Sequence, residues 1–149
     1  MRNALLPSLL ASVLGMSTPS QAQEKPHSPA TGSAERVAIL DAARKPVADE
    51  LGKPVQFVVK QIDVQGSWAF LHARMQSPGG QTIDYADTRY ADAAAHGHKS
   101  SSYAALLQRQ GESWSVLAYS VGPTDVAWIG WAQQYGAPPA LFETPNESS

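Results

Sequence analysis

Four segments of the chain are predicted to be strands, from their content of β-branched, aromatic and aliphatic residues or, at 67–75 and 113–121, from side chains that separate into two sets with a period of two. They cover residues 54–64, 67–75, 102–109 and 113–121, and a short fifth strand is predicted at 81–85. The glycine-containing stretches 65–66 and 110–112 are typical of tight hairpin turns. Because consecutive strands are joined by short turns, the pattern predicts an antiparallel sheet.

Helical spacing precedes the strands. Val37, Leu40 and Ala43 repeat on one face with Ile39 beside them, and Ser33 is a suitable N-cap. Pro46 removes a backbone donor, so the helix is predicted to end near residue 44 and to be followed by a short second turn over 47–51. Gly52 then ends this helical arm.

A second helix is predicted after the strands. Thr124 or Asp125 is a suitable cap for a helix over 126–135, and a glycine at 136 ends it. One broad face of this helix would hold Trp128, Ile129, Ala132 and Tyr135. Trp131 lies at the edge of that face, so it is predicted to be the more exposed tryptophan.

These elements predict an α+β fold. An N-terminal helix packs on a curved antiparallel sheet of four to five strands, and a C-terminal helix follows. The layout, with the Gly-Glu-Ser-Trp-Ser-Val string at 111–116, resembles the cystatin-like and ketosteroid-isomerase-like rolls. The strings Gly-Ser-Trp-Ala-Phe at 66–70 and Gly-Pro-Thr-Asp-Val-Ala-Trp at 122–128 resemble those of small uncharacterised exported bacterial proteins. That second resemblance implies export and transfers no catalytic residue.

The N-terminus has the features of a secretory signal peptide over residues 1–22. A single arginine precedes an apolar stretch that is too short to span a bilayer, and Ser20 and Ala22 match the small-residue cleavage pattern. Cleavage after Ala22 would leave a flexible linker at 23–32, one domain at 33–142 and a disordered tail at 143–149. The sequence thus predicts a periplasmic or secreted protein that has no membrane span after signal removal.

Composition narrows the chemistry. The 149 residues hold 11 Lys and Arg against 13 Asp and Glu, a net charge of −2, which argues against nucleic acid as a partner. The absence of cysteine excludes disulfides, zinc–thiolate sites and cysteine nucleophiles. The sequence contains no phosphate-binding loop, nucleophile elbow or His-Glu-x-x-His motif. It therefore predicts no cofactor and favours, without settling, a non-enzymatic role.

Two groups of residues are candidates for binding. Trp68, His72 and Arg74 share one face of a predicted strand, where the histidine and arginine would be polar groups in an apolar pocket or simply solvated. Trp128, Trp131 and Tyr135 crowd the C-terminal helix. They would form a recognition surface or pocket lid, or would dock the helix on the sheet.

The remaining candidates are polar. Asp125 would be either a helix cap or a carboxylate at a pocket mouth. His96 and His98 lie near three aspartates in an irregular loop. They are only weak candidates for metal ligands because a metal site needs a rigid supporting shell, so no metal site is predicted and solvation is the simpler interpretation.

The first functional expectation is an exported cell-envelope protein that binds an unknown protein or small molecule without its own catalysis. One alternative is a carrier or pocket enzyme of the ketosteroid-isomerase-like type, which would use His72, Arg74 or Asp125. The other is a periplasmic enzyme inhibitor or immunity protein.

Overall fold

The computed structural model describes residues 24–144, together with Gly15. Apart from Gly15, the predicted signal peptide and its cleavage site lie outside the described residues, and so do residues 145–149 of the predicted tail. The predicted α+β class is confirmed. The elements run in the order α1 (Ala34–Leu51), β1 (Gln56–Gln65), β2 (Trp68–Gln76), α2 (Ala91–Ala95), β3 (Ser102–Gln110), β4 (Ser113–Val121) and α3 (Trp131–Tyr135), followed by a 3-10 turn (Pro139–Phe142).

The four strands form an antiparallel sheet in the order β1-β2-β3-β4. Two tight turns close the outer hairpins, and each contains a glycine with positive φ, Gly66 at 58° and Gly111 at 63°. The segment predicted as a fifth strand forms only one isolated bridge, from Thr82 to Gln76. None of the helices in the described part of the chain combines the length and apolar character needed to cross a bilayer.

α1 continues through Pro46, so the predicted end near residue 44 is wrong. Its buried residues, Ile39, Ala43, Val47 and Leu51, follow each other at intervals of four on both sides of the proline. Burying this continuous stripe offsets the roughly 3 kcal/mol that an internal proline costs a helix. The predicted caps hold, because Ser33 accepts from the Arg36 amide and Gly52 adopts φ 67°.

A bulge at Leu117 changes the alternation of β4. The register shifts between Leu106 and Leu107, so Leu107 pairs with Val116 while Leu106 pairs with Ala118. The extra residue places Trp114, Val116, Tyr119 and Val121 on the α1 side of the sheet. Strict alternation along 113–121 predicts Trp114 and Val116 on the opposite side from Tyr119 and Val121, and this prediction is wrong because a bulge reverses the order of the faces.

Both faces of the sheet are covered. On the α1 side, Leu71, Met75 and Tyr103 pack against the helix, and the Tyr103 hydroxyl donates to the Ala43 carbonyl at 2.9 Å. On the other side, which we call the second face, lies a separate cluster of buried residues: Phe70, Ala104, Leu106, Ala118, Trp131, Ala137 and Leu141. The C-terminal segment therefore completes the fold as a third layer.

The N-terminal residues of the described chain lie against β1. His27 and Val64 exchange both backbone hydrogen bonds, at 2.9 and 2.8 Å. Gln65 donates its side-chain amide to the Glu24 carbonyl at 2.8 Å, and Pro29 is buried. Residues 24–30, which the sequence predicts to be part of a linker, thus cover the last residues of the outer edge of β1.

Candidate binding site on the second face

The second face holds an aromatic cluster centred on Phe70. This ring is fully buried, and its centroid lies 5.5 Å from that of Trp128 and 4.9 Å from that of Phe142. Trp68 and Tyr135 are partly buried against the same cluster. Rings at these separations and tilted angles contribute packing energy beyond the area they bury. The cluster therefore fixes the C-terminal segment to β2.

His72 lies under Trp128. The two ring centroids are 4.7 Å apart, and His72 pairs across the sheet with Gln61 and Ala104. Burial, and then the positive charge of Lys60, lower the pKa of His72 below its ordinary value of 6.5. The imidazole is accordingly neutral at pH 7, when it has one donor and one acceptor nitrogen. Arg74, two residues further along the same face, is exposed.

The C-terminal helix is shorter than predicted. It covers only Trp131–Tyr135, with Gly130 as its N-cap, and residues 126–130 form turns in which Ile129 and Trp131 donate to the Val126 and Trp128 carbonyls. The predicted cap at Asp125 is wrong, since that residue is exposed and no side chain caps the helix. The glycine inside the predicted segment delays the helix, because glycine is a poor helix former.

Because residues 126–130 form turns rather than a helix, the exposure predicted for two residues is reversed. Trp131 is only 8% exposed, so its prediction as the exposed tryptophan is wrong. Ile129, predicted on the docked face, is 87% exposed, and Val126 is 52% exposed. A turn does not keep the 100° spacing of a helix, so a pattern read at helical period assigns the wrong side chains to the interior.

An apolar groove of about 290 Å³ lies beside these exposed residues. We call it the C-terminal groove, and it is lined by Val126, Trp128, Ile129, Ala132, Pro139 and Phe142. Trp128 and Phe142 also touch Phe70, so the groove floor rests on the buried aromatic cluster. The structure thus brings together Trp68, His72, Trp128, Trp131 and Tyr135 on the second face, and it leaves Asp125 and Arg74 exposed.

The histidine pair in the loop is solvent-exposed. The rings of His96 and His98 are 6.4 Å apart, and Nδ1 of His96 lies 2.8 Å from the Asp92 carbonyl oxygen. Within residues 24–144, no three histidine, aspartate or glutamate side chains are placed to hold one metal ion.

One polar cluster has no counterpart in the sequence analysis. Glu50 of α1 has a side chain only 10% exposed, and it pairs with the Tyr90 hydroxyl and the Arg89 guanidinium. Burial, and then the hydrogen bond to Glu50, raise the pKa of Tyr90. Lys99 lies 4.4 Å from the centre of the Tyr90 ring. This cluster ties the segment between β2 and β3 to α1, and no short-range spacing indicates it because Glu50 and Tyr90 are forty residues apart.

Comparison of the chain with protein families, with curated proteins and with solved structures gave no match. The C-terminal groove and its aromatic base are therefore the features from which we infer a function.

Proposed function

We propose that the chain is an exported cell-envelope protein that binds a partner protein without catalysis of its own, and that the C-terminal groove is its binding surface. The observation that carries this proposal is the exposure of Ile129, 87%, beside Val126 and the groove. Fully burying an isoleucine side chain is worth about 1.5–3 kcal/mol, so a partner that covers it gains that free energy.

The groove favours a partner segment that presents apolar side chains. Its lining residues are aliphatic, aromatic or proline, and its volume of about 290 Å³ admits one or two such side chains. Exposed apolar patches next to a concave site are typical of interaction surfaces. Aromatic residues are enriched where such surfaces contribute most to affinity.

The base of the groove is held rigid before any partner binds. Phe70 is fully buried and lies against both Trp128 and Phe142. Side chains fixed by packing lose little conformational entropy on association. The partner would therefore meet a preformed surface.

Site-specific photocrosslinking tests the proposal in the cells that make the protein. A photoreactive amino acid at position 129 is expected to form a discrete adduct with one partner in the cell envelope. The matched control is position 37, since Val37 is also exposed, 47%, but lies on α1 on the opposite side of the sheet. Val126→Asp, which puts a charge on the rim of the groove, should reduce the adduct at least tenfold.

Two results would contradict the proposal. One is equal crosslinking at positions 37 and 129, since the groove would then have no preference. The other is an adduct at position 129 that persists undiminished in Val126→Asp. A circular dichroism spectrum of the purified variant shows whether its fold is unchanged.

A further inference from the structure

Before the bulge at Leu117, the outer edge of β4 lacks the features that normally protect a sheet edge. Its nine residues, Ser113–Val121, include no charged residue, no proline and no glycine. Edge strands in monomeric proteins are usually blunted by lysine, proline or a covering segment. Within residues 24–144, no strand pairs with this edge.

The opposite edge of the sheet is protected in two ways. β1 carries Lys60 and Asp63, and its register shifts next to Lys60. The backbone of His27 also pairs with Val64, so the N-terminal segment covers part of β1. Within residues 24–144 the two edges of the sheet thus differ, since the first half of β4 has neither a charged residue nor a covering segment.

Those free groups can be assigned along the first half of β4. Gln110 and Ser113 face each other across a two-residue turn, so their backbone groups pair, and alternation points the N–H and C=O of Trp114 and Val116 outward. Arg109, opposite Trp114, donates its N–H to Ser67 on the β2 side. The outward backbone of Trp114 and Val116 is consequently available to another strand.

A groove of about 380 Å³ runs between this half of β4 and α1. It is lined by Trp114, Ser115 and Val116 from the strand and by Ala42, Lys45, Pro46 and Asp49 from the helix. An added strand would lay its α1-facing side chains in this groove. Pro46 has no N–H to donate to the Ala42 carbonyl, so the groove wall also holds an acceptor without its helical partner.

We propose that β4 pairs antiparallel with β4 of a second copy of this chain, through Ser113–Val116, so that two sheets join into one of eight strands. An uncharged strand pairs with its own copy without like-charge repulsion, whereas it has no charged side chain that could form an ion pair with a charged partner strand. The rim of the groove carries Lys45 and Asp49, whose charged atoms lie 3.6 Å apart. A two-fold axis would bring one Lys45 and one Asp49 from each copy to the interface, so the charges on the rim are self-complementary.

The bulge at Leu117 sets the limit of the pairing. A bulge interrupts regular strand addition, and the end of β4 is closed because the Lys99 side chain donates to the Val121 carbonyl at 2.8 Å. The groove flanks only the half before the bulge. We therefore place the interface at Ser113–Val116 rather than along the whole strand.

Sedimentation equilibrium of the protein, purified in the form that the cell exports, tests the proposal. A dimer that dissociates on dilution is expected. Ser115→Lys places a charge on the exposed edge and should raise the dimer dissociation constant at least tenfold, and 0.5 M salt should recover part of the loss by screening. Gln56→Lys makes the matched change at an exposed position of β1 and should leave the constant within twofold.

Hydrogen exchange of the unmodified protein adds a measurement that needs no variant. The amides of Trp114 and Val116 should exchange slowly at concentrations where the dimer forms and quickly on dilution. A protein that stays monomeric at every concentration overturns the proposal. A dimer that Ser115→Lys does not weaken, or whose Trp114 and Val116 amides stay unprotected, also overturns it.

Discussion

Replacing Trp131 by alanine should destabilise the fold far more than replacing Ile129. Trp131 is 8% exposed and packs with Phe70 and Leu141, whereas Ile129, two residues earlier, projects almost entirely into solvent. The pair is a direct measure of how the C-terminal segment docks. If the segment were a regular helix over 126–135, with Ile129 on the docked face, the order of the two effects would be reversed.

The size of the effect follows from the buried area. A tryptophan buries roughly 200 Å², which at about 25 cal/mol per Å² is about 5 kcal/mol as an upper bound. Alanine keeps part of this, and measured Trp→Ala changes in cores cost about 3–5 kcal/mol. Ile129→Ala, at a solvated site, should change the free energy of unfolding by at most about 0.5 kcal/mol.

Urea unfolding followed by far-UV circular dichroism measures both changes, because the signal does not depend on the tryptophan removed. A loss of about 3 kcal/mol is a large share of the 5–15 kcal/mol that typically stabilises a domain. It should therefore move the midpoint to a much lower urea concentration at an unchanged slope. Equal effects of the two substitutions, or a larger effect at position 129, would refute the packing of the second face described above.

Two further predictions concern His72 and Gly122. Because burial lowers the pKa of His72, the unfolded chain binds a proton at this residue more readily than the folded chain, so the free energy of unfolding should be highest above about pH 6.5 and should fall as the pH drops through the lowered pKa. Urea titrations at several pH values should show that His72→Gln makes this fall smaller. The control His98→Gln, at an exposed position, should not change it. A Cβ on Gly122, at φ +64°, would lie 2.5 Å from the Tyr85 hydroxyl and 2.8 Å from the Ser100 carbonyl oxygen, so Gly122→Ala should lower the melting temperature clearly more than Gly111→Ala, where φ is +63° but the space is open; equal shifts would contradict the close approach.

The sheet could be predicted from the sequence because each strand carries its own signal. Alternation of apolar side chains needs no knowledge of the rest of the fold, and glycines at the turns mark where the chain reverses. Alternation along residues 68–75 predicts opposite sides for Phe70 and Leu71, and the structure places them in the two separate clusters. What alternation does not supply is the partner strand, so the bulge at Leu117 and its reversal of the faces had no local signal.

The helices illustrate where tertiary packing outweighs a local rule. Pro46 argues for a break on its own, yet the four-residue spacing from Ile39 to Leu51 continues across it and buries one stripe against the sheet. At the C-terminus the error runs the other way, since apolar spacing and a suitable cap predict a helix through residues that form turns. The cluster of Glu50 with Tyr90 belongs to neither case, because only the folded chain brings distant segments together.

The proposed binding surface lies in the segment that the sequence singles out, but the side chains there have different roles from those predicted. The density of tryptophan pointed to residues 128–135, and the second face does gather these rings. Trp131, however, is used for packing, and the apolar side chains left exposed are those of Ile129 and Val126. Because the aromatic rings stabilise the segment, they hold in place the exposed aliphatic side chains of Val126 and Ile129. Under the proposed function, Trp131 fixes the segment and Ile129 contacts the partner, so Trp131→Ala would disturb the fold and the proposed binding together.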